Sequence, residues 1–335
     1  MEQKIKKRDY GIDLLKVIST FAVLAVHSQR CSETGELFNP FLYYIARFAM
    51  PCFFMCNGFL IMKRETFDFK YYIKKITNIV RVLLIWSCVT IVLSLLIEHN
   101  TLKVALIDGI KCGLGAKIVP FWFLFTLGII YTALIFLFDW VKRNINVLLI
   151  VLLVGMFIIH LFSLINIFRG GYFIQQIIDQ RFRLWTWVFY FLSGYKIKLF
   201  MQERAAFNKN KLFLLTTFMT VIVFFYQYYL CAIYLNKINS EYLYDSIFIV
   251  IWCVLIFVLF NSIEIHDDRK IICFLSSNTF GIFLLHGYFL YYLKLTNRIH
   301  GFIDSTLLWI ALIIICYVIT AIVRKIPIGR KIFEY

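Results

Sequence analysis

Residues 10–28 read YGIDLLKVISTFAVLAVHS, a run long and apolar enough to cross a bilayer that nevertheless carries Asp13, Lys16 and His27. A membrane span needs roughly 20 predominantly apolar residues. An ionisable side chain at its centre costs about 2.5–3.5 kcal/mol on insertion scales, so such residues usually mark a pathway or a site. As a helix, the chain turns through about 1100° from Lys16 to His27, about 20° beyond three full turns, and rises about 16 Å. The two side chains therefore share one face, with Thr20 between them and Asp13 one turn below Lys16. A lipid-facing helix does not tolerate such a stripe, so the helix lines a cavity or meets polar partners. The alternative is that Asp13 and Lys16 snorkel to one headgroup layer and His27 to the other.

Outward from this stretch, hydrophobic segments follow at 41–62, 79–97, 119–138, 146–168, 183–200, 211–235, 244–262, 271–293 and 303–323. Composition agrees with them. Of 335 residues, 61% are hydrophobic and 16% charged, and the mean hydropathy is +0.80. A soluble domain has about 45–50% apolar and about 25% charged residues. The expected fold is an all-α integral membrane bundle of about ten transmembrane helices. It forms a single transmembrane domain over 1–335, without a separate soluble domain. Two segments are less regular: Ser193-Gly194 interrupts the sixth, and the eighth runs directly into the charged stretch 264–268.

Lys and Arg are distributed unevenly. With the N-terminus inside, 22 fall on inner segments (the N-tail, 63–78, 139–145, 196–211, 264–270 and the C-tail) and ten on outer ones. The positive-inside rule then places both termini in the cytoplasm, which an even number of spans satisfies. The same distribution explains most of the net charge of +16. A nucleic-acid partner would instead need basic residues clustered on a folded soluble face. Residues 1–8, MEQKIKKR, are basic, but no small-residue cleavage site precedes the loop after the first span, so a cleaved leader is not expected. The nine cysteines, among them Cys31, Cys52 and Cys56, form no CxxC and no Cys/His group with zinc spacing. No metal is expected, and the cysteines inside spans read as small apolar residues.

Other polar residues lie where lipid would exclude them. Arg47 sits well inside the second segment and keeps its charge, so it needs an anionic partner or a wet site. Pro51 releases the carbonyl of residue 47 from its usual bond and favours a kink. Asn57-Gly58 lets another backbone approach while offering amide hydrogen bonds. In the ninth segment, LSSNTFGIFLLHG places His286 deep in the run. His160 has no polar neighbours on its turn and reads as structural, while His99, His266 and His300 fall in loops without a site signature. Val119-Pro120-Phe121-Trp122-Phe123-Leu124 opens the fourth segment as an aromatic cluster, the usual form of an interfacial anchor.

Together these motifs resemble those of the acyltransferase-3 family of bacterial membrane enzymes. The hallmark is a basic residue and a histidine separated by ten residues in the first span, here Lys16 and His27 in the context Gly11-Ile12-Asp13-Leu14-Leu15-Lys16. The second-span pattern of Arg followed by FFxxSG is matched by Arg47 and Phe53-Phe54-Met55-Cys56-Asn57-Gly58. Trp122-Phe123-Leu124 is similar to the family's fourth-span entry, and Ser276 to His286 to its late LSxxSFGIYLIH-like segment. The matches run in family order from residue 11 to 286. Asn57 stands where the family usually has Ser, and Pro120-Phe121 occupies a stretch that often holds His. Lys74-Lys75 and Arg81 fall where the family has an Arg-rich pattern.

The resemblance implies an O-acyltransferase of the bacterial cytoplasmic membrane. It would move an acyl group, most commonly acetyl, from cytoplasmic acyl-CoA to a cell-surface or polyprenyl-linked glycan. Acetyl-CoA would be a donor substrate, with no permanently bound cofactor. His27 and Lys16 would be catalytic. Arg47, Asp13, Asn57, Lys74, Lys75, Arg81, Trp122 and His286 would hold acyl-CoA or substrate. Imidazole suits either of two roles: base toward a sugar hydroxyl, or acceptor of the acyl group. Both stay open at this point, as does a homo-oligomer. The competing class is a multi-pass secondary transporter or flippase of a glycan precursor, which intramembrane Lys, Arg and His would also serve. Such a protein would more often show inverted repeats and an Asp or Glu away from helix ends, and Asp13 is the only near candidate.

Overall fold

A computed structural model describes residues 8–29, 37–115, 118, 121–203, 208–236, 240–264, 269–295 and 301–333. Cys31, Pro120, His266, His300 and the extreme chain ends, on which some expectations rest, lie outside the described residues. Among the described residues the elements are helices: α1 (Tyr10–Ser28), α2 (Pro40–Ile45), α3 (Ala49–Met62), α4 (Phe69–Leu96), α5 (Leu102–Gly113), α6 (Trp122–Arg143), α7 (Ile145–Phe168), α8 (Leu184–Glu203), α9 (Lys209–Gln227), α10 (Ile247–Asn261), α11 (Arg269–Leu295), α12 (Gly301–Val323) and α13 (Pro327–Ile332). Short 3₁₀ turns cover Ile174–Ile177, Gln180–Phe182 and Glu241–Asp245, and a π-helical turn, Tyr228–Tyr234, extends α9. Several starts are written in the sequence as side-chain caps. Asp9 accepts from the Ile12 N–H, Asn39 from Leu42, Asp68 from Tyr71 and Asn208 from Lys211.

All ten expected segments are helical. Eight helices among the described residues are long and apolar enough to cross a membrane, with α2–α3 and the α9 extension each counted as one. The other two segments are α8, which carries Lys196 and Lys198, and the 15-residue α10.

Four details depart from the sequence reading. The sixth segment is not interrupted at Ser193-Gly194, and α8 runs through it. A Cβ on Gly194 would lie 2.1 Å from the Met55 carbonyl oxygen, and one on Gly58 would lie 1.6 Å from that of Phe191. These glycines are the mutual contact of α3 and α8, as small residues are at membrane helix interfaces. In the second segment the helix breaks at residues 46–48, just before Pro51, which sits in the first turn of α3 where its missing N–H costs nothing. The third segment begins ten residues early, at Phe69, because Lys70, Lys74 and Lys75 lower its hydropathy without stopping the helix. The stretch between the third and fourth segments contains α5, which tucks Gly109 and Gly113 against Ile91 and Ser87 of α4. Its twelve residues are too short to read as a span.

At the centre, α1 packs on α3, α10, α11 and α12. Its two ends are tied to different partners. At the N-terminal end Ser276 Oγ of α11 donates to Asp13 at 2.7 Å. At the C-terminal end the Gln29 amide donates to the Ser305 carbonyl of α12 at 3.1 Å. Basic residues gather at the first end. Arg8 pairs with Asp13, Lys198 with Asp9, Lys142 donates to the Arg64 carbonyl, and Arg324 donates to the Ser277 carbonyl at 2.6 Å.

Candidate active site

Two cavities open along the polar face of α1. The larger, about 280 Å³, is lined by Lys16, by Met50, Phe53 and Asn57 of α3, by Phe123, by Ser276, Ser277, Thr279, Phe280 and Phe283 of α11, and by Arg324 and Phe333. The smaller, about 70 Å³, is lined by Val23, Val26 and His27, by Ala46, Arg47, Ala49 and Met50 around the helix break, by Trp122, and by Gln180, Glu241, Tyr244 and Phe283. Lys16 and His27 thus open on the same side of α1, as the helical repeat requires. Thr20, between them, is buried and bonds back to the Lys16 carbonyl at 2.9 Å.

The Lys16 cavity is cationic and rich in hydroxyls. Lys16 Nζ lies 4.0 Å from Asp13 and keeps 24% of its side chain exposed. Asp13 lines neither cavity. It accepts from Ser276 and pairs with Arg8, so it positions Lys16 and ties α1 to α11. Asn57 does line the cavity, with its amide donating to the Phe53 carbonyl at 2.9 Å. Lys75 feels Lys16, Lys74 and Arg64 as like charges. Lys74 is exposed and Arg81 half-buried, and neither lines either cavity.

The His27 cavity is mixed in character. The His27 ring lies 5.4 Å from that of His286, which is fully buried behind it and lines neither cavity. His286 therefore backs His27 and does not face a ligand. Arg47 occupies the turn between α2 and α3 and is 8% exposed. Its Nε donates to Ser240 Oγ at 3.1 Å, and its guanidinium lies over the rings of Tyr43 and Tyr244 at 5.1 and 5.7 Å. Glu241 acts on it as a nearby opposite charge. Its Nη2 is buried and has no hydrogen-bond partner among the described residues. Trp122, an interfacial anchor by position and a substrate-binding residue by the resemblance, lies 5.0 Å from the ring of Trp187 and 6.3 Å from Phe54, in the wall of this cavity.

The loops over this end are held by their own polar network. Asp179 forms a two-point pair with Arg181, whose side-chain hydrogen bond holds its carboxyl below the ordinary carboxylate range. Asp245 is buried, and Thr186, Trp185 and Gln175 donate to it. His160 bonds to the Tyr226 hydroxyl at 2.7 Å and lines neither cavity. Among the described residues no group of three His, Cys, Asp or Glu side chains is placed to hold a metal.

Several lining residues carry no signal of their own in the sequence. Arg324 reads there only as a topology-setting cation. Gln180 and Glu241 read as ordinary loop residues, and Met50 and Phe283 as core. What the arrangement can do is present an anionic, extended ligand to Lys16 and Arg324 at one end and a titratable imidazole at the other. A family model described as an acyltransferase domain matches residues 9–325, from the cap of α1 to just past α12. The chain belongs to the acyltransferase-3 family. No curated protein and no solved structure matches it. The protein is a membrane acyltransferase, and family membership sets the transport reading aside.

Proposed function

We propose that the protein is an O-acyltransferase, acting first on acetyl. It takes the acyl group from an acyl-CoA entering at the basic end and delivers it to a hydroxyl of a cell-surface or polyprenyl-linked glycan at the His27 end. The carrying observation is that Lys16 and His27 share one face of α1 and open into adjoining cavities. Opposite chemistry at the two ends supports a donor and an acceptor side. Fixed cations suit phosphate and carbonyl oxygens, and the positive-inside rule supports the basic end as cytoplasmic, in a bacterial cytoplasmic membrane. At about 280 Å³ the larger cavity lies at the small end of ligand sites, about 300–1,000 Å³. It suits a pantetheine arm, leaving the nucleotide outside among Lys74, Lys75 and Arg81.

In the transfer, His27 takes the proton of the acceptor hydroxyl as its oxygen bonds to the thioester carbonyl. The C–S bond breaks and the departing thiolate takes up a proton. In a two-step route a ring nitrogen of His27 first bonds to the carbonyl as the C–S bond breaks, and the acceptor oxygen then takes the acyl group as that C–N bond breaks, the hydroxyl proton ending on the thiolate. The unpartnered Nη2 of Arg47 is a fixed donor for charge developing on the carbonyl oxygen, and such donors are worth most where water is excluded.

The test is the acetyl content of surface glycans, by NMR, in cells carrying wild type, a deletion and His27→Ala. Loss in both mutants, with recovery on re-expression of wild type, is expected. Unchanged signals in both would overturn the reading.

A further inference from the structure

Met50 and Phe283 line both cavities, and among the described residues no other does. One comes from the first turn of α3 and the other from the middle of α11, so together they form the partition between the Lys16 chamber and the His27 chamber. The two sides of this partition differ in stiffness. Phe283 is 5% exposed. It stacks on Phe280 at 6.4 Å and 14°, meets Phe123 edge-on at 6.4 Å, and lies 5.7 Å from the His286 ring. Aromatic neighbours on three sides hold it in place. Met50 is only half-buried and unbranched, and it follows directly on the break at residues 46–48. An unbranched thioether with three rotatable bonds adapts its shape more readily than any other apolar side chain of its size.

Beyond the partition the space narrows from about 280 Å³ to about 70 Å³. A thioester reaching His27 from the Lys16 side must therefore pass its acyl group between these two side chains while its pantetheine arm stays in the larger chamber. The small chamber accommodates a two-carbon group and crowds each added methylene. From this we infer that Met50 and Phe283 determine acyl-chain length, with Met50 the side that yields. The inference rests on the donor route proposed above and assigns a specificity role to two residues that sequence reads as plain core.

The experiment measures release of coenzyme A thiol from acetyl-, butyryl- and hexanoyl-CoA by inverted native membrane vesicles, cytoplasmic face outward, carrying the full chain. Vesicles with His27→Ala serve as the blank. Wild type should prefer acetyl-CoA. Met50→Ala should raise the butyryl-to-acetyl ratio of kcat/KM by about tenfold or more, since one methylene too many in a closed pocket costs 10–200-fold. Phe283→Leu should move the ratio the same way, and Met50→Phe should depress butyryl further. The ratio is internal to each preparation, so a variant present at reduced amount still reports. Should Phe283→Leu fail to fold, the two Met50 variants decide alone. An unchanged ratio in variants that still use acetyl-CoA overturns the inference and leaves the transferase reading standing. Thiol release no higher from wild type than from His27→Ala, with any donor, overturns the donor route itself.

Discussion

Two helices of the bundle, α1 and α7, follow opposite rules. The most apolar of the eight span-length helices, α7, has only 17% of its central window buried inside the protein, whereas α1, interrupted by Asp13, Lys16 and His27, has 67% buried. In a soluble domain that order would be inverted. Here lipid takes the apolar surface of α7, and the protein interior takes the polar surface of α1, because a bilayer cannot satisfy polar groups. What the difference teaches is that burial in this molecule follows chemistry and not hydropathy. The helix whose polar stripe looks least like lipid-facing surface, α1, is the one that brings Lys16 and His27 to the two cavities.

Substitutions on the two helices should therefore fail in different ways. The largest effect is expected at His27. Removing a general acid or base costs about 10²–10⁴ in rate, so His27→Ala should abolish most transfer while the protein still inserts and unfolds at an unchanged temperature in detergent. Loss of the protein from the membrane fraction would break the contrast. On α7, Val154 is half exposed to the surroundings. Val154→Arg should cost about 2.5–3.5 kcal/mol of insertion, seen as less protein in washed membranes with unchanged activity per molecule.

A third substitution sharpens the same contrast within the core. Gly58→Ala forces a Cβ into the Phe191 carbonyl oxygen, which backbone cannot easily yield. Overpacking of this kind costs about 1–3 kcal/mol, occasionally more, and should appear as a lowered unfolding temperature. The smallest effect lies outside the membrane, at Asp179. Arg181 depresses its folded pKa, so the pair stabilises above the unfolded value of about 3.9, and that contribution is lost as pH falls through the folded value. At a half-exposed site it is under about 1 kcal/mol. Asp179→Asn should lower the unfolding temperature slightly at neutral pH, and the difference should close as the pH falls below the carboxylate range.

The helical angle between Lys16 and His27 made the stripe legible in sequence, because it needs only a repeat of 3.6 residues and a charge count. Arg47 was legible for the same reason: a fixed charge in an apolar run asks for a partner. The close approach at Gly58 could be anticipated, but its counterpart at Gly194 could not. A glycine inside a helical pattern reads as an interruption until the backbone that covers it is known. Arg324, Gln180 and Glu241 reach the cavities by long returns of the chain, and nothing in their local sequence marks them. Trp122 is singled out through the family resemblance and not through its position, since aromatic residues at a span's end look alike whether they face headgroups or a neighbouring tryptophan.

The reciprocal glycine contact of α3 and α8 has a mechanical consequence. Each backbone sits where the other's next side chain would have to pass. Sliding by one residue, a rise of 1.5 Å, would drive a Cβ into a carbonyl oxygen on both helices at once. The two are pinned like a bolt through a plate, so whatever rearrangement admits and releases the substrates of this enzyme must occur around that fixed post and not within it.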